Sequence, residues 1–243
     1  MRKPNISEAT NEFIALAIQC EHSEQPAFAG QTYIGAAKCE ASAGNFLGEA
    51  EQYIAAARQF MKAEKKFAAL KLYSPNRENL EAAIGCYTQA LTKYPDKSPI
   101  RTSILLELAN DLVALNHKFE ALEYYKQALT LIEDGIMKLM CMRSYVNLLI
   151  DCVQVTRILL CLLVEPDNTN KPESLKQLLD DLLSDDENDT MPFNTDLRLK
   201  LQSIIISNML GDQTALIDIA SNIKQYLTMQ QKNLLDTLTT ENR

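Results

Sequence analysis

The side chains in this sequence that could catalyse a reaction are few and form none of the familiar catalytic patterns. Its two histidines, His22 and His117, have no nucleophile or carboxylate at a motif spacing, and no phosphate-binding glycine loop, zinc-protease or serine-hydrolase motif occurs. The acid pair Asp180 and Asp181 falls in a segment that we expect to be loop-like, where a catalytic pair would lack preorganisation. We therefore expect no enzymatic activity, no cofactor and no small-molecule substrate. A small helical enzyme stays as a hypothesis behind the two binding functions given below.

Cysteine could supply a nucleophile, a disulfide or a metal ligand, but the spacing here favours none of these. No pair follows the C-x-x-C pattern, and each thiol sits among apolar neighbours in a helical pattern. Small buried thiols in a reducing cytosol are the favoured interpretation, with metal or disulfide use as the alternative. The six residues are Cys20, Cys39, Cys86, Cys141, Cys152 and Cys161.

The net charge of −8 disfavours phosphate backbones and anionic lipid as main partners, so we expect no nucleic acid.

The most apolar run, residues 146–164, carries Asp151, Gln154 and Arg157 near its centre. Burying those groups in hydrocarbon would cost several kcal/mol. We therefore expect a core helix and no membrane span.

The elements that must position any functional surface are helices. Glycine and proline are scarce, at 7 and 8 residues in 243, and apolar residues make up 47% of the chain. Apolar residues recur at three- and four-residue steps, and short links between segments predict antiparallel neighbours. The predicted helices cover about 7–20, 27–43, 46–65, 78–94, 100–115, 119–132, 136–164, 173–183, 195–210, 213–226 and a last segment from 228.

A phrase occurs twice: Ala83-x3-Tyr87-x2-Ala90 returns as Ala121-x3-Tyr125-x2-Ala128. Leu105, Leu108, Ala109 and Leu112 precede the second copy at tetratricopeptide offsets. Ala50, Ile54 and Ala57 form a weaker, earlier copy of the same triad, and the offsets of 33 and 38 residues between copies are irregular. The sequence thus predicts an all-α, irregular tetratricopeptide-like stack of helical hairpins, an α-solenoid.

Stacked hairpins present a groove, and the strongest copy predicts which residues line it. We expect Ser103, Leu106, Asn110, Val113 and Ala114 to face it, with no cation to clamp a peptide carboxylate. Leu106, Asn110 and Val113 are therefore candidate contacts for apolar side chains of a protein partner. The alternative is that neighbouring helices of this chain cover them.

The stretch DDLLSDDEND, residues 180–189, carries six acids and no cation. Such density predicts a solvated acidic loop, or a docking strip for a basic partner surface. The candidate contacts here are Asp180, Asp181, Asp185, Asp186 and Glu187.

Three stretches of the sequence resemble one known family. They are RKPNISEATNEF (2–13), CVQVTRILLCLLVEPD (152–167) and the helical segment at 201–241 that begins LQSIIISNMLGDQ. Together they are similar to the family of the forty-kilodalton huntingtin-associated protein, also called the factor VIII intron-encoded protein. The sequence departs from that family between Ile132 and Val146, where relatives carry another helix and a proline-rich insert.

This resemblance implies a helical stack clasped between the HEAT-repeat lobes of huntingtin, one-to-one. It also implies a cytoplasmic location with early endosomes, the nucleus as a further location, and a link to an early-endosomal Rab GTPase in vesicle trafficking. The expected organisation is a repeat stack at 1–165, an acidic linker at 166–194, and C-terminal helices at 195–243 on the same stack. The alternative function is a soluble NSF attachment protein-like adaptor for SNARE complexes, against which the absence of an evident basic stripe counts.

Overall fold

The three- and four-residue apolar spacing of the chain produces helices throughout the computed structural model. The structure describes residues 6–70, 72, 77–96, 98–164, 171–184, 193 and 195–241, and no strand occurs among them. The all-α prediction is confirmed. The eleven α-helices of these residues are α1 (Ile6–His22), α2 (Pro26–Ala43), α3 (Phe46–Ala69), α4 (Glu78–Lys93), α5 (Pro99–Ala114), α6 (Lys118–Leu131), α7 (Gly135–Val164), α8 (Glu173–Leu183), α9 (Thr195–Leu210), α10 (Gln213–Ile223) and α11 (Met229–Glu241), with a 3₁₀ turn at Lys224–Tyr226.

Helix ends follow the turn and capping chemistry of the sequence. Gly44 closes α2 with φ 76°, a left-handed conformation that suits glycine. Its N–H donates to the Ala41 carbonyl, and the N–H of Asn45 donates to the Glu40 carbonyl. The side chain of Asn45 then caps α3 by accepting a hydrogen bond from the N–H of Gly48. α3 extends four residues beyond its predicted end because the segment KKFAA continues with good helix formers.

The first of two compact units comprises Met1–Leu115 and Tyr124–Lys138. Each of its helices α2 to α5 packs on the helix before it. Small side chains allow these close approaches: a Cβ at Gly30 on α2 would come within 2.8 Å of the Phe60 ring on α3. Alanines therefore fill the positions where helices meet, and large side chains fill the gaps between them.

The repeated phrase marks buried positions, as predicted. Tyr87 and Tyr125 are buried, together with the four alanines of the two copies. Ala50, Ile54 and Ala57 are also buried, but they lie on α3, which pairs with α5 through the ion pairs Arg58–Glu107 and Lys65–Asp111.

The second compact unit comprises Asn116–Glu123 and Leu139–Arg243. The C-terminal half of α7 joins α8 to α11 around one apolar core, with Ile158, Leu182, Leu201, Ile204 and Leu235 at its fully enclosed centre. The two units divide the chain within α6 and α7, and so do not follow the predicted boundaries at 165 and 194.

Gln231 attaches α11 to α7. Its backbone N–H and side-chain oxygen exchange hydrogen bonds with Thr228, which forms a capping box at the start of α11. Its side-chain Nε2 donates to the Cys152 carbonyl at 2.9 Å and to Thr156 Oγ1 at 3.0 Å, both on α7. One buried side chain therefore both starts the last helix and fixes its position.

Candidate interaction surfaces

A groove of about 570 Å³ lies between α3 and α5 in the first unit. Arg58, Lys62, Lys65 and Lys66 recur at helical steps, so α3 presents all four cations to the groove. α5 contributes Glu107 and Asp111, which are four residues apart. Met61 and Ala69 of α3 complete the lining, so the groove combines charged and apolar groups.

Ion pairs across the groove hold the two helices together. The Arg58 guanidinium donates from Nε and Nη2 to the two carboxylate oxygens of Glu107, at 2.7 and 2.8 Å. Lys65 Nζ donates to Asp111 at 2.5 Å, and Lys66 Nζ donates to the Glu24 carboxylate at 3.0 Å. These contacts use much of the positive charge of α3, so the groove is a weaker anion site than its four cations suggest.

Tyr87 extends this network into the core. Its O–H donates to Glu107 Oε1 at 3.0 Å. Hydrogen bonding to Arg58, assisted by Tyr87, holds the pKa of Glu107 below its ordinary value. Burial, together with the nearby carboxylate, raises the pKa of Tyr87 well above its usual range. The network is therefore a fixed structural link at neutral pH.

The predicted groove contacts lie elsewhere. Leu106 and Val113 are half-buried, and Asn110 accepts a hydrogen bond from the Tyr125 O–H on α6. From α5, Glu107 and Asp111 line the groove with α3. Leu106, Asn110 and Val113 stay a prediction as partner contacts. The helical spacing of the four α3 cations is the signal of this surface in the sequence.

The acidic candidates are only partly described. Asp180 and Asp181 lie in the last turn of α8 and are exposed. Asp185, Asp186 and Glu187 lie outside the described residues. On α8 the apolar side chains Leu175, Leu178 and Leu182 face the core, which places the two described acids toward solvent.

An extended exposed apolar surface of the second unit lies on α7. This helix buries one face, which includes Leu148, Val155, Ile158, Leu159 and Leu162. The opposite face leaves large apolar side chains in solvent: Leu139, Met142, Val146, Leu149, Ile150, Val153, Leu160 and Val164. Exposed apolar surface of this extent on one helix is typical of an interaction site.

By length and composition α7 is the one helix in the described chain that could cross a membrane, and 28% of its most apolar window is buried. Its polar groups nevertheless have partners within the unit. Lys118 Nζ donates to Asp151 at 2.8 Å, and Arg157 donates to Gln154 and to Ser174. These contacts fit a helix that packs in a bundle through one face.

Three of the cysteines have thiol pKa values above the ordinary value, which makes them less reactive. All six are free. Burial raises the pKa of the Cys86 thiol to about 11, and burial also raises the pKa of Cys141 and of Cys152. These three thiols therefore stay protonated and weakly nucleophilic at neutral pH. Across the described residues, no group of three or more His, Cys, Asp or Glu side chains could hold a metal ion.

No model of a known protein family matches this sequence, and no curated protein matches it either.

Proposed function

We propose that this chain is a non-enzymatic interaction subunit that binds huntingtin, one-to-one, between the HEAT-repeat lobes of that protein. The observation that carries the proposal is the exposed apolar face of α7, from Leu139 to Val164. A helix that buries one face in its own core and leaves the other apolar gains free energy when a partner removes that face from water. The three family-like stretches of the sequence supply the identity of the partner.

The proposal extends to the cellular role that the family resemblance implies. Bound to huntingtin, the subunit stabilises one arrangement of the HEAT-repeat lobes and takes part in vesicle trafficking. The location is then cytoplasmic, with early endosomes and an early-endosomal Rab GTPase as a further partner. Acidic residues such as Asp180 and Asp181 are exposed on α8 and could meet basic patches on the partner.

Co-purification with full-length huntingtin tests the proposal. The two chains, co-expressed and captured through a tag on huntingtin, should elute as a one-to-one complex that survives a wash in about 0.5 M NaCl, because salt screens charges and not apolar contacts. Loss of this chain in the wash would show that apolar burial does not hold the complex. Failure to co-elute at about 0.1 M NaCl would overturn huntingtin as the partner.

A second candidate function gains support from the cationic groove. An adaptor of the soluble NSF attachment type meets an acidic SNARE helical bundle through basic residues, and Arg58, Lys62, Lys65 and Lys66 supply such a row on α3. It ranks second because Glu107, Asp111 and Glu24 already pair with three of these cations. Retention of the chain on an immobilised SNARE bundle, lost on Lys62→Glu, would favour the adaptor over the huntingtin-binding subunit.

A further inference from the structure

The exposed face of α7 follows a strict heptad spacing. From Leu139 the apolar residues recur at alternating steps of three and four, through Met142, Val146, Leu149 and Val153. These five residues, here called the α7 seam, are between 39% and 68% exposed. In coiled coils this spacing places one line of side chains against a partner helix, as the a and d positions of the heptad. The seam spans 14 steps along the helix, about 21 Å.

Beyond Val153, other residues of this chain contact part of the same line on α7. The next heptad position is Thr156, and its Oγ1 accepts a hydrogen bond from Gln231 in the first turn of α11. Leu163, one heptad further, packs partly buried against the apolar core. Leu160, the position between these two, is 42% exposed. The line beyond the α7 seam is therefore only partly covered, and α11 contacts it at Thr156.

The charges beside the α7 seam select among possible occupants. The flanking e and g positions from 138 to 152 are Lys138, Arg143, Tyr145, Ile150 and Cys152, which include two cations and no acid. Lys138 and Arg143 are both exposed. In a parallel pair of two copies, Lys138 would lie opposite Arg143 of the other copy, and no favourable ion pair could form in either orientation.

A membrane surface fits the seam less well than a helix does. An interfacial helix turns a polar, lysine- and arginine-rich face to water. Opposite the seam, α7 instead carries Cys141, Ser144, Leu148 and Asp151, with Cys141 and Leu148 buried and no lysine or arginine.

We propose that the α7 seam binds one amphipathic helix of a partner protein, about four turns long, whose apolar stripe is flanked by Asp or Glu that pair with Lys138 and Arg143. The partner helix packs lengthwise along Leu139–Val153 and ends at the first turn of α11. This inference rests on the proposed function only in requiring a helical partner, and it holds for any protein that offers such a helix.

Two synthetic helical peptides test it without huntingtin. Both are 21-residue probes with Leu at a and d, one with Glu at every e and g position and one with Lys there. Fluorescence anisotropy with the full chain should give a Kd for the Glu peptide on the order of tenfold lower than for the Lys peptide. Arg143→Glu should remove or reverse this preference. Equal binding of the two peptides would overturn the charge-matched occupant.

Matched substitutions on α7 locate the binding. Leu149→Asp should raise the Kd for the Glu peptide at least about tenfold, because it places a carboxylate in the apolar seam. Asn147→Asp adds the same group two residues away on an exposed position off the seam, and should leave the Kd unchanged. Helicity and the unfolding midpoint are checked for each variant, and Val146→Asn replaces Leu149→Asp if that variant does not fold. Equal weakening by Asn147→Asp would refute the seam as the binding line.

Other occupants give distinct results. Sedimentation of the wild-type chain as a dimer, with Leu149→Asp as a monomer, would assign the seam to a second copy. Tighter binding to vesicles of phosphatidylserine and phosphatidylcholine than to the Glu peptide would assign it to a membrane.

If huntingtin co-purifies equally with the wild type and with Leu149→Asp, the proposed function stands and the seam is not its contact. If the Glu peptide binds as expected and huntingtin does not co-purify, the seam stands and the partner is another helical protein.

Discussion

Glu107 shows how single side chains fix the packing of the first unit. It lies on α5, accepts two hydrogen bonds from Arg58 on α3 and a third from Tyr87 on α4, and so joins three helices. The sequence predicts the packing role of Tyr87, because its spacing to Ala83 and Ala90 is regular. Its hydroxyl partner lies 20 residues away on another helix and has no local signal.

The pH dependence of stability should reveal this carboxylate. Because the folded pKa of Glu107 is below the ordinary 4.5, its contribution is complete above pH 4.5 and disappears as the pH falls through the folded pKa. Glu107→Gln should lower the free energy of unfolding by about 1–2 kcal/mol at pH 7. Urea denaturation should show the difference from wild type shrinking below pH 4.5.

The exposed Glu51 on α3 serves as the control for this measurement. Glu51→Gln should have little effect at either pH. A wild-type advantage over Glu107→Gln that persists unchanged in acid would mean that the side chain acts through packing and not through its charge.

At the scale of elements, α6 and α7 meet through a pair of opposite charges. Lys118 and Asp151 are 2.8 Å apart, and their side chains are only 14% and 15% exposed. Burial raises the pKa of Asp151 despite the lysine, so the cost of desolvating the carboxylate outweighs the attraction. The pair fixes where the first turn of α6 meets α7 more than it stabilises the fold.

A double-mutant cycle tests this interpretation. Lys118→Met or Asp151→Leu alone should lower the free energy of unfolding by about 2–4 kcal/mol, because each leaves one charge buried without its partner. The two substitutions together should change it by less than about 1 kcal/mol, since both charges then disappear. Additive losses in chemical denaturation, with no recovery in the double variant, would contradict a desolvation-dominated pair.

The sequence predicts those features of the helices that depend on residues close together along the chain. Helix bounds rest on local spacing, and α8 and α9 begin and end where predicted. The pairing of α3 with α5 that forms the cationic groove has no local signal, because the paired residues are about 50 positions apart. The buried and exposed faces of α7 are both apolar, so composition could not show that only one of them is covered.

At the scale of the whole molecule, the free chain carries exposed apolar surface at sites beyond α7. Phe28, Phe46, Leu70 and Leu210 are each more than 60% exposed. Surfaces of this kind favour association in water, and a partner that covers them stabilises the fold by mass action.

The isolated chain should therefore aggregate, and its thermal unfolding midpoint should lie below about 60 °C. Changing Leu139, Leu149 and Val153 together to Ser should raise the concentration at which light scattering first detects aggregates, because the open side of α7 becomes polar. Unfolding by urea should change little, since these side chains are already largely in water. A sharp melt of the wild type above about 60 °C, or unchanged aggregation of the triple variant, would contradict this account.

The contact between Gln231 and α7 can form only late in synthesis of the chain. Gln231 reaches back 79 positions to Cys152, so α7 leaves the ribosome long before the helix that secures it. At 5–20 residues per second the delay is about 4 to 16 s. During that interval both apolar faces of α7 are exposed on the nascent chain, and chaperones or a partner have time to bind them before α11 is synthesised.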